Sequence, residues 1–330
     1  MKFFRLPFLA AVSAVFLLGG CSKSTSESAG KNPRATALKK LCWVQPLKGH
    51  PVHQLTQIAF REGCAAVGYE CEIIGTDGMD NAGTIALAEQ ALARGDVAGM
   101  VVWATSPAYY PLVERAHRAG VPVVLPHFPA EEGSIPGATG IICCDPDQYA
   151  RECANEIGNA IKGHGTIAIT QGSFNSLENR VAEIFAKEIV AKFPGITVLA
   201  PGEEGFDPTK GIALASSLLQ SHPEIVAAFS TTGGGPTTWA GAQRQVGRKI
   251  VAVGMDYTRL NLDLVKSGEI FAVVGQPLWD ESFQAASLLD QVIRGGKIAW
   301  WTRLPAPFIT KGGVEPYERL LDKVEAAIKK

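Results

Sequence analysis

Short apolar runs alternate with amphipathic stretches along most of the chain. Lys39 to Val44, Glu70 to Ile74, Val97 to Trp103 and Val121 to Leu125 predict strands. Between them, His53 to Val67, Asn81 to Arg94 and Tyr109 to Ala119 place apolar residues at helical spacing, and Gly68 and Gly120 close two of these helices. After Gly140 to Cys144 and the turn Asp145-Pro146-Asp147 a second series opens. Its helices are predicted from Pro146 or Asp147 to Ile161, over Glu178 to Lys192, Lys210 to Gln220 and Trp239 to Val246, and its strands over Thr166 to Thr170, Thr197 to Ala200 and Ile225 to Ser230. Regular alternation with short connections predicts an α/β chain whose parallel sheets are covered on both faces. Two such series of similar size predict two doubly wound, Rossmann-like lobes, although the sequences of the halves do not match.

The stretch from Lys249 to Asp280 orders the rest. Ile250 to Gly254 is a strand that ends at Asp256, a helix follows with Leu260, Leu262, Leu264 and Val265 on one side, and Phe271 to Val274 is a second strand ending in Gly275-Gln276-Pro277. Strand, helix and strand of this size make one right-handed parallel unit, so both strands end on the same edge of the sheet. Ligands of open parallel sheets bind at that carboxyl edge, which brings Asp256 and Gln276 side by side in a crevice. Pro277 lacks a donor and turns the chain out of the sheet, so the crevice lies beside a hinge. Phe283 to Arg294 then reads as a last helix of the first lobe, and Phe308 to Lys330 returns to the second. The chain crosses between lobes near Asp145, Gln276 and Pro305, which makes a three-segment hinge.

A length of 330 residues suffices for two cores, and 46% apolar with 19% charged residues is the composition of a folded, soluble chain. The formal charge of −1 offers no basic field for nucleic acid. Met1 to Arg5 is basic, Leu6 to Leu18 is apolar but short for a membrane span, and Leu18-Gly19-Gly20-Cys21 ends the segment. This resembles a bacterial lipoprotein signal, which implies cleavage before Cys21 and lipid on that residue. Residues 1–20 are then the signal peptide and 21–37 a Ser-, Lys- and Thr-rich tether to a bacterial membrane. Six further cysteines follow, none spaced as C-x-x-C, so burial as small hydrophobes is expected rather than zinc. Cys42 and Cys71 fall on neighbouring strands and are the candidates for a disulfide.

Ala65-Ala66-Val67-Gly68-Tyr69-Glu70, Ala93-Arg94-Gly95-Asp96-Val97-Ala98-Gly99, Ala119-Gly120-Val121-Pro122-Val123-Val124, Val253-Gly254-Met255-Asp256 and the Gln276 crossover occur here in one order. In that order, from about Leu38 to Lys311, the chain resembles the periplasmic sugar-binding proteins of ABC importers, of the ribose- and galactose-binding type. The resemblance implies the type I periplasmic binding protein fold, with an N-terminal lobe of residues 38–144 plus 277–305 and a C-terminal lobe of 145–276 plus 306–330. It also implies a periplasmic or cell-surface monomer that captures a small neutral monosaccharide or polyol and meets the permease subunits of an importer. Neither a cofactor nor catalysis is expected, since no G-x-S-x-G, P-loop or H-E-x-x-H stands in the sequence.

Asp256 and Gln276 match the family's carboxylate and hinge amide; their alternatives are a helix cap and a hinge hydrogen bond without ligand. His50-Pro51-Val52-His53 stands where ribose-type proteins often carry a stacking pair, and His127-Phe128 where they carry Asp-Arg, so His50, His127 and Phe128 are candidate contacts. His53 serves either as a contact or as a first-turn helix residue. Trp103 either fills the core or forms a stacking wall. Arg180 lies near the family's arginines. Asp145, Thr232 in the glycine-rich turn Thr231 to Pro236, and Trp239 complete the candidate set. The glycines of that turn are explained either by positive φ or by backbone amides presented to a ligand. Two other readings remain: a sugar sensor for a membrane receptor, and a metal site built from His50, His53, His127 and Asp256.

Overall fold

The structure is a computed structural model that describes residues 40–49, 51–174 and 176–329. The signal segment, Cys21, the tether, His50 and Asn175 lie outside the described residues. The first sheet contains β1 (Lys40–Val44), β2 (Glu70–Ile74), β3 (Val97–Val102), β4 (Val123–Pro126), β5 (Gly140–Cys144) and β12 (Trp301–Leu304). Their spatial order is β12-β5-β4-β3-β1-β2 and every pair is parallel. The second sheet runs β13-β11-β10-β9-β6-β7. It comprises β6 (His164–Gln171), β7 (Gly195–Val198), β9 (Ile225–Ser230), β10 (Val251–Met255), β11 (Ala272–Val274) and β13 (Phe308–Thr310), with the short β8 (Gly202–Glu203) beside β6. Only β13, antiparallel to β11, breaks the parallel rule of this sheet.

The inner strands of both sheets, such as β3, β4, β5 and β11, are buried along their whole length because they are almost wholly apolar. Along β1, Leu41 and Trp43 join one core cluster and Cys42 and Val44 another, as the two-residue period of a strand requires. Helices α1 (Pro51–Val67), α2 (Asn81–Arg94), α3 (Tyr110–Arg118) and α9 (Leu278–Ile293) accompany the first sheet. Helices α4 (Pro146–Ala160), α5 (Ser176–Lys192), α6 (Pro208–Ser221), α7 (Gly235–Val246) and α8 (Arg259–Ser267) accompany the second. α9 lies so close on α1 that a Cβ on Gly63 would stand 2.4 Å from the Phe283 carbonyl oxygen.

The chain passes between the sheets three times: from β5 to α4, from β11 to α9, and from β12 to β13. The final helix, α10 (Glu315–Ile328), touches elements that belong to both sheets. Arg259 of α8 holds Asp322 at 2.6 Å and Glu325 at 3.1 Å, while Lys323 reaches back to Glu62 of α1 and lies over the Trp279 ring of α9.

Several expectations need correction. The helix after the second crossing starts at Leu278, not Phe283, because Pro277 already serves as its cap position. Leu260 is exposed, so the buried side of α8 consists of Leu262, Leu264 and Val265. The six described cysteines are free thiols. Cys71 stands opposite Leu41 and Cys42 opposite Glu72, so Cys42 and Cys71 point to opposite faces of the sheet and do not pair. Cys71 instead interacts with the Cys64 thiol of α1. Among the described residues no helix is long and apolar enough to cross a membrane.

Candidate functional site

Parallel strands that end on one edge concentrate their loops there, and the loops of the two sheets enclose a cavity of about 550 Å³. That volume falls in the range of roughly 300–1,000 Å³ typical of small-molecule sites. From the first sheet, His53, Trp103 and His127 line it; from the second, Thr232, Asp256 and Gln276 do. Asp256 and Gln276 follow adjacent strands, Met255 stands opposite Val274, and the Asp256 amide donates to the Val274 carbonyl at 2.8 Å.

Two of these residues sit in strained backbone. His127 has φ 74° and Asp256 φ 70°, a region that non-glycine residues enter at a cost of about 1–3 kcal/mol and that clusters at ligand sites. Asn261 holds the second of them. Its side-chain amide, 2% exposed, donates to the carbonyls of Met255 at 3.0 Å, Asp256 at 3.1 Å and Gly233 at 3.0 Å, tying the β9–α7 loop to the end of β10. The three glycines of that loop have negative φ, so none needs the left-handed region; close approach requires Gly233 and Gly235, while a Cβ on Gly234 would meet nothing. A Cβ on Gly233 would lie 2.4 Å from Asp256 Oδ2, and one on Gly235 would lie 2.1 Å from the Ser230 side chain. The cap of α8 is Thr258, whose hydroxyl accepts from the Asn261 backbone N–H at 3.2 Å, so the Asp256 carboxylate is free of that duty. Its Oδ1 is buried and has no hydrogen-bond partner. Burial pushes the carboxyl up to about 6, with the His127 charge pulling the other way.

On the opposite wall the rings of Trp103 and His127 stack at 4.6 Å, His53 lies 5.4 Å from Trp103, and Phe128 meets both Trp103 and His127 edge-on. Trp103 is 5% exposed and also contacts Trp43 and, through it, Phe60, so it fills the core and forms the wall at once. Behind His127 stands Glu281, in the first turn of α9, with one oxygen 3.3 Å from Nδ1. Burial alone would lower the imidazole's pKa, but the carboxylates of Glu281 and Asp256 outweigh it and raise it. At the rim, Met79 from the first sheet's loops and Phe206 from the second's are 61% and 77% exposed beside the cavity. A third buried acid, Glu204, lies behind the wall formed by Thr238. It accepts from Ser230 at 2.9 Å, and burial pushes it up to about 7.

Four of the candidates are elsewhere. Arg180 points to solvent and grips Asp147 with two bonds of 2.6 and 3.0 Å. Trp239 is wholly buried behind the wall, its indole N–H donating to Thr170 at 3.0 Å, so it covers nothing in the cavity. Asp145 caps α4 by accepting from the Asp147 amide at 3.0 Å, at the first crossing. Phe128 supports His127 and Trp103 rather than lining the cavity. Among the described residues no three of His, Cys, Asp and Glu gather as metal ligands. Sequence reasoning missed Glu281, Asn261, Thr238, Met79 and Phe206. A weak signal existed for Asn261, whose amide stands in the helix that directly follows Asp256.

Comparison with known proteins agrees with this architecture. A family model described as periplasmic binding protein domain matches residues 41–297. The D-apiose import binding protein of Actinobacillus succinogenes is 27% identical over 191 residues, 56% of this chain and 59% of that protein. The ribose import binding protein RbsB of Bacillus subtilis is 25% identical over 186 residues, again 56% and 59%. The chain thus spans about three fifths of the length of these relatives, 59%. Among solved structures, a sugar-binding protein of a sugar ABC transporter from Bacillus halodurans superposes with TM-score 0.78 at 21% identity, covering 84% of this chain and 99% of that one. The arabinose binding protein AraP of Geobacillus stearothermophilus gives TM-score 0.76 at 20% identity, covering 84% and 99%.

Proposed function

The chain belongs to the periplasmic binding protein domain family, and from that premise we propose that it is an extracytoplasmic solute-binding lipoprotein that captures a monosaccharide or related polyol and delivers it to an ABC import permease. One observation carries this reading: Asp256 and Gln276 from one sheet and Trp103 and His127 from the other line a single cavity. A sugar presents hydroxyls that donate and accept together, and C–H faces that suit flat rings. One wall supplies the amide, carboxylate and hydroxyls, the other the rings. The relatives named for ribose and D-apiose import support the class of ligand and its destination.

The mechanism is capture by closure. We place the lobes at residues 38–144 plus 277–305 and 145–276 plus 306–330, with the three crossings as the hinge. Ligand bridging both walls stabilises the closed arrangement by the difference in affinity between closed and open forms, which is the most any ligand can contribute to such a shift. The closed protein, a monomer held to the membrane through Cys21, then meets the permease. It is a binding protein and not an enzyme, as the family and its relatives are. A thermal-shift panel of pentoses, hexoses, deoxysugars and polyols is expected to give at least one upward shift. Titration of that ligand into Asp256→Ala is expected to show affinity lower by about a hundredfold or more, the loss of several bonds to a charged group, with the fold retained. Unchanged affinity would remove Asp256 from the site, and a panel without any response would remove the sugar.

A further inference from the structure

The end of α1 folds the chain back on itself. The Tyr69 amide donates to the Cys64 carbonyl at 2.9 Å and the Gly68 amide to the Ala65 carbonyl at 3.3 Å, with Gly68 at φ 80°. These are the paired bonds by which a left-handed glycine closes a helix. β2 starts directly afterwards, and Tyr69, Cys71 and Ile73 alternate onto the face that packs against the core cluster containing Cys64. The turn therefore brings Cys71 back to Cys64 on one face of the sheet, and the two thiols interact. Cys42 stands opposite Glu72 and belongs to the core on the other face, so the sheet separates it from this pair.

The two thiols are not equivalent. Cys64 is wholly buried, whereas β2 is the outermost strand of the first sheet and leaves Cys71 half-buried. Contact with Cys71 and burial push the Cys64 thiol up; contact with Cys64, helped by the Arg61 charge on α1, holds the Cys71 thiol below its ordinary value against its own burial. An accessible thiol beside a cation suits the attacking role, and a buried neighbour suits the role of resolving what the first has formed. Neither residue lines the cavity, so their chemistry stands apart from ligand capture.

We propose that Cys64 and Cys71 are a disulfide-forming pair, oxidised by exchange with an external low-molecular-weight disulfide. The Cys71 thiolate attacks one sulfur of that disulfide, forms a mixed disulfide and releases the first small thiol, which takes the Cys71 proton. Cys64 then attacks the sulfur of Cys71, expels the second small thiol and gives it the Cys64 proton. Two protein thiols lose two electrons, and one disulfide is reduced to two thiols. Outside the cytoplasm, where periplasmic binding proteins work, thiols are not held reduced. The bond pins the last turn of α1 to the edge of the sheet, one residue beyond the Gly63 contact with α9, and closes a short loop that the unfolded chain then cannot open.

The full chain, reduced and then exposed to oxidised glutathione, supplies the test. Free thiols are alkylated in denaturant and the product is cut with a glutamate-specific protease, which cleaves after Glu70, between the two cysteines. The Cys64 and Cys71 peptides are expected to stay joined until reductant separates them, with neither residue alkylated. In Cys64→Ala the reaction should stop at glutathione on Cys71, and in Cys71→Ser Cys64 should remain a free thiol. The oxidised protein is expected to melt about 3–5 °C above its reduced form; an unchanged melt would strip the bond of its pinning role. Alkylation of both residues after oxidant, a stable glutathione adduct on Cys71 of the unaltered chain, or a bond from Cys71 to Cys42 would each overturn the pair. Because the peptide map is read on the unaltered chain, it decides even where a variant lacks a cooperative melt.

Discussion

The two walls of the cavity solve one problem with different materials. The wall from the first sheet is made of rings, Trp103, His127 and His53, braced from behind by Trp43, Phe60 and Phe128. Its contribution is shape, and its rings are part of the core. The second wall is made of a carboxylate, an amide and hydroxyls, held by backbone close approach and by the Asn261 clamp rather than by hydrophobic contact. Each wall presents one left-handed non-glycine residue at a strand end, His127 or Asp256. Substitution in the first wall should therefore strike stability hardest, and in the second wall affinity.

Removing Trp103 gives the sharpest contrast. Trp103→Ala is expected to cost about 3–5 kcal/mol in urea unfolding, as for other buried aromatics cut to alanine. A cost below about 1 kcal/mol would mean that the ring belongs to the ligand alone. Asn261→Ala leaves three backbone carbonyls without their donor, which should cost about 2–3 kcal/mol. It should also lower ligand affinity about tenfold although residue 261 touches no ligand, because Asp256 loses its fixed backbone. Lost stability with unchanged affinity would reduce the clamp to a structural role.

Glu204 tests the second wall from behind. Its pKa in the folded chain, about 7, lies above the ordinary 4.5. The folded state therefore holds more proton than the unfolded one between these values, and stability from this group falls as pH rises through that window. A shift of this size corresponds to about 3 kcal/mol in full and roughly 2 kcal/mol after relaxation. Glu204→Gln should thus raise the melting temperature most near pH 8 and least near pH 5; a pH-independent gain would contradict the buried ionisation. The smallest effect is expected at Arg180. Arg180→Ala should leave ligand affinity unchanged and alter stability by no more than about 0.5–1 kcal/mol, since its ion pair with Asp147 is exposed.

How far the sequence could be read follows from how local each feature is. The β10–α8–β11 unit was legible because an alternation of apolar runs and its terminating glycine and proline lie within one short stretch, and Asp256 and Gln276 followed from the parallel edge it builds. The assignments that did not survive depend on direction. Arg180 and Trp239 stand near the correct loops, but whether a side chain turns to the cavity, to Asp147 or to Thr170 is set by packing that spacing does not encode. The Cys42–Cys71 pairing failed by one position of register. Glu281 was hidden for another reason: an acid in the first turn of a helix is so common a complement to the helix dipole that nothing marked it as the counter-charge of a histidine far away in the chain.

The order of strands has a bearing on synthesis. The edge strand of the first sheet, β12, and that of the second, β13, come from residues 301–304 and 308–310, after every other strand has been made. Until that stretch leaves the ribosome, β5 and β11 each present an unpaired row of amides and carbonyls, the kind of edge that recruits foreign strands. A nascent chain stopped before residue 301 would therefore carry two sticky flanks at once, so neither half is a unit that translation can finish and set aside while the other is being built.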